Sequence, residues 1–278
     1  MNTSKDQIVY NRLVEGIRAF FKKANISNAV IGLSGGIDSA LVAALATEAL
    51  GKESVHGILM PSPFSTVHSV ADALDLVANL DISHSIVPIE GIYNKYMKEF
   101  DALFHDQLKE ITSENIQARI RANILMAYSN NYGALLLNTS NKSEIAMGYG
   151  TMYGDLCGAL MVIADLYKTE VYSLSKYINR ERVIIPESTI TKDPSAELKL
   201  DQKDSDTLPE YCVLDPILHM LIEMGKDRSQ LIEIFKDPDL IDRVYKLMNQ
   251  SSFKSHQLPP MLQLGDSPLL PSYKCIKV

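Results

Sequence analysis

The sequence has few cysteines, no long apolar run and no excess of positive charge. Its three cysteines, Cys157, Cys212 and Cys275, lie far apart and form no C-x-x-C pair, which argues against a disulfide framework and a zinc site. No uninterrupted apolar run reaches membrane-spanning length, and the polar first residues lack the apolar core of a signal peptide. The net charge of -7 argues against a nucleic-acid-binding protein that depends on a basic surface. We therefore expect a cytoplasmic protein with no membrane or nucleic-acid partner.

Length and composition allow one domain or two. At 278 residues, with 46% hydrophobic and 22% charged residues, the chain is typical of a soluble globular protein with a sizeable core. It contains no internal repeat and no low-complexity segment. The simplest interpretation is a single domain over 1–278, with an α/β core over about 1–185 and a helical C-terminal portion and tail over about 186–278.

Apolar periodicity in the first half of the sequence predicts alternating strands and helices. Strands are predicted at 29–33, 54–60, 83–89 and 134–138. The predicted helices are one that Thr3 or Ser4 caps and that ends near Asn25, then 37–50, 66–80, 91–109 and 112–131, the last capped by Thr112 or Ser113. Short connections between such elements require right-handed crossovers. The predicted fold class is therefore α/β, a Rossmann-like open parallel sheet with helices on both faces.

The second half of the sequence is predicted to be mainly helical. A weak strand around 160–164 precedes a predicted helix at 168–179, and a polar, proline-containing segment follows. Further helices are predicted at 214–224, 229–235 and 239–249, before an extended tail at 257–278. We expect the glycine-dense loop 148–158 and the segment 187–209 to be mobile when no ligand is bound.

The stretch 29–40, AVIGLSGGIDSA, has the pattern of a buried strand, a glycine-hydroxyl turn and a helix N-terminus. Such a turn binds anions, because glycines allow close approach and the free N–H groups and the helix dipole face the same point. No lysine follows the glycines, which excludes a Walker A loop, and the spacing excludes a dinucleotide fingerprint. SGGIDS instead resembles the signature of the ATP pyrophosphatase (PP-loop) superfamily, whose members adenylate a substrate and release pyrophosphate. An ordinary strand-to-helix turn is the alternative.

Polar residues crowd the end of the predicted strand at 134–138. The ends of strands in an open α/β sheet are where ligands bind. Asp38 and Glu144 each follow a predicted strand, and two carboxylates there could hold Mg²⁺ against ATP phosphates. Thr139 could bond a ribose or phosphate oxygen. The alternative is a polar loop with a helix-capping threonine.

Together these segments resemble the NAD synthetase family, particularly the synthetase portion of its glutamine-dependent members. The resemblance rests on GLSGGIDSA at 32–40, NIQARIR at 115–121, NTSNKSE at 138–144, GYGTMYGD at 148–155, DLYKTEVY at 165–172, PSAEL at 194–198 and LPEYCVLDPIL at 208–218. These motifs follow the family order over nearly the whole chain. The resemblance implies an adenine nucleotide alpha hydrolase-like fold. It also implies amidation of deamido-NAD with ammonia to NAD through an acyl adenylate, with release of AMP and pyrophosphate.

The resemblance also implies roles for individual residues. The implied ATP-binding residues are Gly32, Leu33, Ser34, Gly35, Gly36, Ile37, Asp38, Ser39, Met60, Thr139, Lys168 and Ser195. Asp38 and Glu144 are the implied Mg²⁺ ligands, and Asp38, Lys168 and Asp155 are the implied catalytic residues. Asp155 is the carboxylate near the ammonia position, where it could act as general base. The implied deamido-NAD contacts are Arg119, Met152, Ala159 and Lys254.

Some of these positions depart from the family pattern. Ammonia-dependent bacterial members often have a lysine where Met152 stands and an aspartate where Ala159 stands, and the change agrees with the glutamine-type branch. The basic run before Q-x-P-P keeps Lys254, but Ser255 follows it. The family builds its deamido-NAD site across a subunit interface, so a homodimer is expected, with the apolar faces of 91–109 and 112–131 as candidate interface.

The nitrogen source and the exact activity have alternatives. The synthetase motifs fill the 278 residues and leave no room for a glutaminase domain, so the chain as given is expected to use ammonia, either free or from a separate glutaminase. It could also be a piece of a longer protein. Another PP-loop adenylating enzyme, such as a tRNA-modifying adenylase, and a non-catalytic nucleotide-binding protein on the same fold are the rival interpretations. Intact Asp38, Glu144 and Lys168 argue against the latter.

Overall fold

The computed structural model describes residues 4–105, 107–266, 269 and 274–278. Its strands are β1 (Asn28–Gly32), β2 (Val55–Leu59), β3 (Ser83–Ile86), β4 (Ala134–Asn138), β5 (Leu160–Met161), β6 (Met261–Gln263) and β7 (Cys275–Lys277). They form one parallel sheet in the order β3-β2-β1-β4-β5-β6-β7. The strand order reverses between β1 and β4, so the topological switch point lies between these two strands.

Helices connect and cover the strands. They are α1 (Lys5–Ala24), α2 (Ile37–Leu50), α3 (Val67–Leu80), α4 (Glu90–Phe104), α5 (Glu110–Tyr132), α6 (Lys142–Met147), α7 (Lys168–Ile178), α8 (Glu187–Thr191), α9 (Tyr211–Ile222), α10 (Arg228–Phe235) and α11 (Pro238–Ser251). Short 3₁₀ turns lie at Lys52–Ser54, Asp204–Asp206 and Ser252–Gln257. Within the described ranges, no helix is long and apolar enough to cross a membrane.

Alternate residues of β1 enter different apolar cores, one on each face of the sheet. Ala29 and Ile31 pack with α1, α2 and α7, and α2 is buried on nearly all sides in that core. Val30 packs on the opposite face, in a core that includes residues of α4 and α5. A separate apolar cluster joins α6 to α9, α10 and α11. The predicted α/β fold, with helices on both faces and a helical C-terminal portion, is confirmed.

Most predicted elements are present, with shifts at their ends. The hydroxyl of Ser4 caps α1 by accepting from the backbone N–H of Gln7 at 3.2 Å, whereas Thr3 lies outside the described residues. β3 ends at Ile86 rather than at residue 89, and β5 contains two residues rather than five. The short α8 was not predicted.

The predicted caps of α5 are wrong. The helix begins at Glu110, after Lys109, so Thr112 and Ser113 lie inside its first turn. The Ser113 hydroxyl donates to the carbonyl oxygen of Glu110 at 2.7 Å instead of accepting from a backbone N–H group. Ser113 therefore lies inside the helix and bonds to a backbone carbonyl oxygen. The sequence pattern does not distinguish such a serine from one that caps the helix.

The sequence predicts an extended tail at 257–278. In the structure, two segments of this tail, β6 and β7, are strands of the sheet. Met261 and Leu262 in β6 are fully buried. The Arg12 guanidinium fixes the end of the chain by donating from Nε to the carbonyl oxygen of Val278 at 2.6 Å and from Nη1 to that of Leu264 at 2.9 Å. Three-residue strands depend on such tertiary contacts, so local pattern does not predict them.

Candidate active site

A cavity of about 300 Å³ opens at the carboxyl ends of β1, β2 and β4, beside the switch point of the sheet. Most of the predicted site residues line it, namely Gly32, Leu33, Ser34, Gly36, Ile37, Asp38, Ser39, Met60, Thr139, Glu144, Asp155, Lys168 and Ser195. These residues are scattered over more than 160 positions of the sequence, and the fold brings them to one place. The cavity is therefore the candidate active site.

The glycine-hydroxyl turn after β1 is held by its own side chains. The Ser39 hydroxyl donates to the carbonyl oxygen of Gly36 at 3.0 Å, and the backbone N–H of Gly36 donates to Ser34 Oγ at 3.1 Å. Gly36 is the N-cap of α2 and supplies no side-chain acceptor to the first turn of that helix. The N–H groups of the first turn of α2 are therefore available to an anion, and the helix dipole reinforces their attraction.

Gly35 does not line the cavity, but it allows the turn to form. Its φ of +80° lies in the left-handed region, and a Cβ atom there would lie 2.1 Å from the backbone carbonyl oxygen of Ser69 in α3. Only glycine satisfies both conditions. The turn is thus packed directly against the N-terminal end of α3.

Lys168 lies between the two predicted metal ligands. Its Nζ is 2.5 Å from Asp38 Oδ2 and 3.0 Å from Glu144 Oε1, and its side chain is 3% exposed. Burial disfavours the ammonium, but the charges of Asp38 and Glu144 outweigh it and raise the pKa of Lys168, which stays protonated at neutral pH. Burial raises the pKa of Glu144 to about 8; the Lys168 ammonium opposes this rise, while the negative charges of Asp38 and Asp204 add to it. The amide of Asn141 donates to Asp38 Oδ1 at 2.8 Å and completes the cluster.

Buried hydrogen bonds fix the start of α7, which carries Lys168. The backbone N–H of Lys168 donates to Ser143 Oγ at 2.9 Å, and the Ser143 hydroxyl donates to Asp215 Oδ1 at 2.5 Å. The other carboxylate oxygen of Asp215 accepts from the backbone N–H of Thr169 at 2.8 Å. Asp215 belongs to α9, so the C-terminal helices position the lysine of the site.

Asp204 adds a third carboxylate to the same cluster. It is 4% exposed, its Oδ2 accepts from the Tyr211 hydroxyl at 2.9 Å, and the Tyr149 hydroxyl also interacts with this carboxylate. Three carboxylates surround the one ammonium group of Lys168, and carboxylate oxygens are ligands that Mg²⁺ prefers. No set of three His, Cys, Asp or Glu residues in the described ranges is placed to hold a metal alone. The cluster thus fits Mg²⁺ held by two carboxylates together with substrate phosphates.

Asp155 lies in the cavity wall, within the loop after α6. Its Oδ1 accepts from the backbone N–H of Thr151 at 2.6 Å, while the amide of Asn138 donates to the backbone carbonyl oxygens of Asp155 and Cys157 at 2.7 and 2.9 Å. The side chain is open to the cavity, but the surrounding protein limits its hydration, and this desolvation raises the pKa of Asp155. A carboxylate with a raised pKa is suited to accept a proton.

The predicted deamido-NAD contacts do not line the cavity. The Nε of Arg119 donates to the backbone carbonyl oxygen of Met152 at 3.2 Å, which ties α5 to the glycine-dense loop. Ala159 uses its backbone N–H to donate to the carbonyl oxygen of Leu136 at 2.7 Å. Their role in binding deamido-NAD therefore remains a prediction from the family resemblance.

Lys254 holds the glycine-dense loop from outside. Its Nζ donates to the carbonyl oxygens of Gly148 and Gly150, each at 2.7 Å. Burial lowers the pKa of Lys254, and Asp155 offsets this in part. Lys254 lines a second cavity of about 150 Å³, which shares Glu144 with the main one. Its contact with deamido-NAD also remains a prediction.

A strap formed by residues 192–200 crosses the cavity beside the glycine turn. Glu197 accepts from the Ser69 hydroxyl at 2.6 Å and from the Thr66 hydroxyl at 3.0 Å, which ties the strap to the N-terminal end of α3. The amide of Gln117 in α5 donates to the carbonyl oxygen of Leu198 at 2.8 Å. These contacts hold the predicted ATP contact Ser195 against the cavity. Whether the strap is mobile without ligand remains a prediction.

Asn141, Arg121 and Asp204 are among the residues of the site that were not predicted from the sequence. Asn141 stands in NTSNKSE and forms a capping box with Glu144, a pattern that the spacing does contain. Arg121 lines the cavity, whereas Arg119 does not. Two residues that are two positions apart face different sides of a helix. Asp204 lies in a polar segment whose contact with Lys168 depends on tertiary packing.

The sequence matches the NAD synthase family over residues 9–259. It is 47% identical over 258 residues to the glutamine-dependent NAD(+) synthetase of Synechocystis sp., covering 93% of this chain and 46% of that protein. A protein of the same description from Thermotoga maritima is 43% identical over 255 residues, with 91% and 44% covered. The chain spans about half the length of the curated relatives it matches.

Solved structures give the same result. The NH3-dependent NAD synthetase from Campylobacter jejuni matches with a TM-score of 0.74 and 33% identity, covering 94% of this chain and 100% of that chain. The NMN synthetase from Francisella tularensis matches with a TM-score of 0.77 and 28% identity, covering 96% and 100%. Motif order, fold and sequence identity thus agree, and the chain belongs to the NAD synthase family.

Proposed function

We propose that this chain catalyses the ATP-dependent amidation of deamido-NAD with ammonia, giving NAD, AMP and pyrophosphate. The observation that carries the proposal is the placement of Lys168 between Asp38 and Glu144, beside the glycine turn at the start of α2. The arrangement suits a polyphosphate because it combines free N–H groups, a fixed positive charge and two carboxylates that can hold a metal. Membership of the NAD synthase family supports deamido-NAD as the acceptor.

In the first step, a carboxylate oxygen of the nicotinate group attacks the α-phosphorus of ATP. The bond between that phosphorus and the pyrophosphate oxygen breaks, and an acyl adenylate remains. The N–H groups of the glycine turn bind the departing phosphates, and Lys168 donates to them from its buried position. Because Lys168 is protonated before the reaction, its charge is in place when negative charge accumulates on the leaving group.

Asp38 and Glu144 would hold Mg²⁺, which when bound neutralises part of the phosphate charge. Asn141 keeps the Asp38 carboxylate oriented through its 2.8 Å hydrogen bond. Asp204 is a further carboxylate whose charge acts on Lys168 from behind the pair.

In the second step, ammonia attacks the acyl carbon, the bond from that carbon to the AMP oxygen breaks, and AMP leaves. Asp155 is the group that accepts the surplus proton, since its side chain faces the cavity and desolvation strengthens it as a base. The strap that Glu197 and Gln117 hold over the cavity limits the access of water, which would otherwise hydrolyse the adenylate.

We propose ammonia rather than glutamine as the nitrogen source of this chain. The proposal is supported by the 33% identity and TM-score of 0.74 with the Campylobacter jejuni protein, which is named as NH3-dependent. The test is to incubate the chain with ATP, Mg²⁺ and deamido-NAD, supplying either ammonium or glutamine. We expect NAD with ammonium and little or none with glutamine. Equal rates from ammonia-free glutamine would contradict the nitrogen source, and no NAD in either case would contradict the function.

The same assay separates the rival substrates. The deamido form of NMN should be included, because the NMN synthetase of Francisella tularensis is covered along its whole length at 28% identity. If the chain clearly prefers the deamido form of NMN to deamido-NAD, the proposed acceptor is wrong, but the proposed adenylation and amidation still hold. ATP turnover that depends on tRNA, without any NAD, would instead indicate a tRNA-modifying adenylase.

We also propose that the chain acts as a homodimer in the cytoplasm. Among its described residues α4 buries only Tyr93, while it exposes Ile92, Leu103 and Phe104, and the start of α5 exposes Ile111. An apolar surface of this kind gains stability when a partner covers it. The cytoplasmic location rests on composition and remains a prediction.

A further inference from the structure

Arg121 is a partly buried cation in the wall of the main cavity. Its Nε donates to the backbone carbonyl oxygen of Met60 at 3.1 Å, where β2 has just ended. In the part of the chain that the structure describes, its guanidinium forms no ion pair and no other hydrogen bond. The remaining N–H donors therefore have no protein partner and are available to a molecule in the cavity.

The surroundings of Arg121 call for an anion. Burial lowers the pKa of Arg121 to about 10, and the charges of Glu197 and Asp155 offset this only in part, so the side chain is still charged at neutral pH. An unpaired charge in such a place is costly unless a ligand neutralises it. The planar guanidinium presents parallel donors that match the oxygens of a phosphoryl or carboxylate group.

The neighbours of Arg121 indicate which part of the substrates it meets. Arg121 bonds to Met60, an implied ATP contact, and its charge interacts with that of Asp155, the proposed base for ammonia. The glycine turn and Lys168 already serve the pyrophosphate end of ATP. The group that must lie between the nucleoside and the reacting carbon is the α-phosphoryl group.

We propose that Arg121 binds the α-phosphoryl group of ATP and keeps this contact with the phosphoryl group of the acyl adenylate. The assignment rests on the proposed function and adds a residue to it. In the first step Arg121 stabilises the charge on the α-phosphoryl oxygens while the bond to pyrophosphate breaks. In the second step the bond from the acyl carbon to oxygen breaks, and the electron pair goes to the AMP phosphate that Arg121 holds. Arg121 remains protonated throughout, and the proton from ammonia goes to Asp155.

A purely structural role makes a different prediction. If Arg121 only tied α5 to the end of β2 through Met60, it would use one of its five N–H donors. Its loss would then disturb the nucleoside pocket and weaken AMP and adenosine to the same extent. Direct binding of the phosphoryl group weakens AMP alone, because adenosine lacks that group.

The test is to measure the binding of AMP and of adenosine to Arg121→Met by titration calorimetry. We expect the affinity for AMP to fall about tenfold to hundredfold, as for other charge-assisted hydrogen bonds, while adenosine changes little. Arg180→Met is the control, because Arg180 is exposed and pairs with Glu181 on the surface, so neither affinity should change. Equal losses for AMP and adenosine, or no loss for either, would overturn the assignment.

Two further measurements keep the test decisive. Circular dichroism checks the fold of Arg121→Met, and if that variant does not fold, Arg121→Lys replaces it. A lysine keeps the charge but loses the paired donors, so it should retain part of the affinity for AMP and leave adenosine unaffected. AMP binding needs no turnover. A wild-type chain that makes no NAD would therefore refute the proposed function, while the AMP and adenosine comparison would still decide the role of Arg121.

Discussion

At the residue scale, the site depends on one buried ammonium group that two carboxylates share. Lys168 is 3% exposed, and the side chains of Asp38 and Glu144 are 18% and 15% exposed, so solvent screens the cluster poorly. Removing one partner of a buried ion pair leaves uncompensated charge, which usually costs more than the pair itself contributes. Before ATP binds, Lys168 therefore has a structural role as well as its proposed catalytic one.

We expect Lys168→Met to lower the free energy of unfolding by about 3 kcal/mol, because Asp38 and Glu144 would face each other without a cation. Urea unfolding followed by circular dichroism measures the change. Lys176→Met, an exposed position on the same helix, is the control and should change stability by less than about 0.5 kcal/mol. Equal effects of the two substitutions would show that the buried cluster does not need its ammonium.

The cavity-lining residues that sequence predicted are mainly those encoded by consecutive positions. The turn at 34–39 was predictable because strand, glycines and helix start follow one another, and Glu144 was predictable from its place after a strand. Arg121 was not, because two residues of α5 two positions apart differ in whether they face the cavity. Asp204 was not either, since only packing of the C-terminal helices brings that segment to Lys168.

At the scale of elements, three helix N-termini build the site. The start of α2 offers N–H groups, that of α7 carries Lys168, and that of α3 supports the glycine turn and bonds to Glu197 of the strap. A Cβ atom added at Gly35 would overlap the backbone of Ser69. The turn and α3 should therefore be sensitive to any added side-chain atom.

We expect Gly35→Ala to destabilise the protein by about 2 kcal/mol more than Gly51→Ala. Both glycines have a positive φ, +80° and +86°, so both substitutions strain the backbone, but only at Gly35 would the new Cβ meet another atom, Ser69 O at 2.1 Å. Urea unfolding of the two variants measures the difference. A cost at Gly35 no larger than that at Gly51 would mean that the contact with α3 is not close in solution.

His56 of β2 contacts residues of β3 and α5, and its burial should make the free energy of unfolding depend on pH. His56 hydrogen-bonds Ser83 and Ser85 at 2.8 and 3.0 Å and stacks on Tyr128 with ring centroids 4.5 Å apart. Burial, and secondarily the charge of His84, lowers the pKa of His56 below its usual value. The unfolded chain then binds the proton more readily, so the contribution of His56 is present above the unfolded pKa and is lost as the pH falls through the folded one.

We expect the free energy of unfolding to fall as the pH is lowered from about 7 to about 5, and His56→Gln to remove part of that fall. His68→Gln changes an exposed histidine and should leave the profile unaltered. Denaturant unfolding at several pH values measures both. A His56→Gln profile that matches the wild type would show that His56 titrates normally.

The alternation of strands and helices was predictable at this scale, because β1, β2 and β4 are apolar on both faces and helices such as α1 and α3 have an apolar face. The two C-terminal strands were not predicted as strands. Each has three residues, and each exists because the neighbouring strand offers a free edge, which is information that local sequence does not contain.

At the scale of the whole molecule, the chain corresponds to about half of its glutamine-dependent relatives. We propose that two copies associate through the apolar surface of α4 and the start of α5. Ile92 is 44% exposed and Leu103 is 63% exposed, which is unusual for side chains of this size within one helix.

We expect the wild type to sediment as a dimer at micromolar concentration and the double variant Ile92→Asp with Leu103→Asp to sediment as a monomer, because buried carboxylates would oppose association. Val183→Asp is the control, since Val183 is 60% exposed in the loop before α8 and lies outside α4 and α5. Analytical ultracentrifugation distinguishes the two states. A monomeric, active wild type would contradict the proposed dimer.

We propose that the cluster of Lys168, Asp38 and Glu144 at the start of α2 promotes adenylation of the nicotinate carboxylate. The most direct test uses deamido-NAD labelled with ¹⁸O in its nicotinate carboxylate, incubated with ATP, Mg²⁺ and ammonium. Attack of that carboxylate on the α-phosphorus transfers one labelled oxygen to AMP when ammonia releases it. We expect NAD, pyrophosphate and AMP carrying one ¹⁸O atom in equal amounts. Unlabelled AMP, or ADP with phosphate in place of pyrophosphate, would contradict the account.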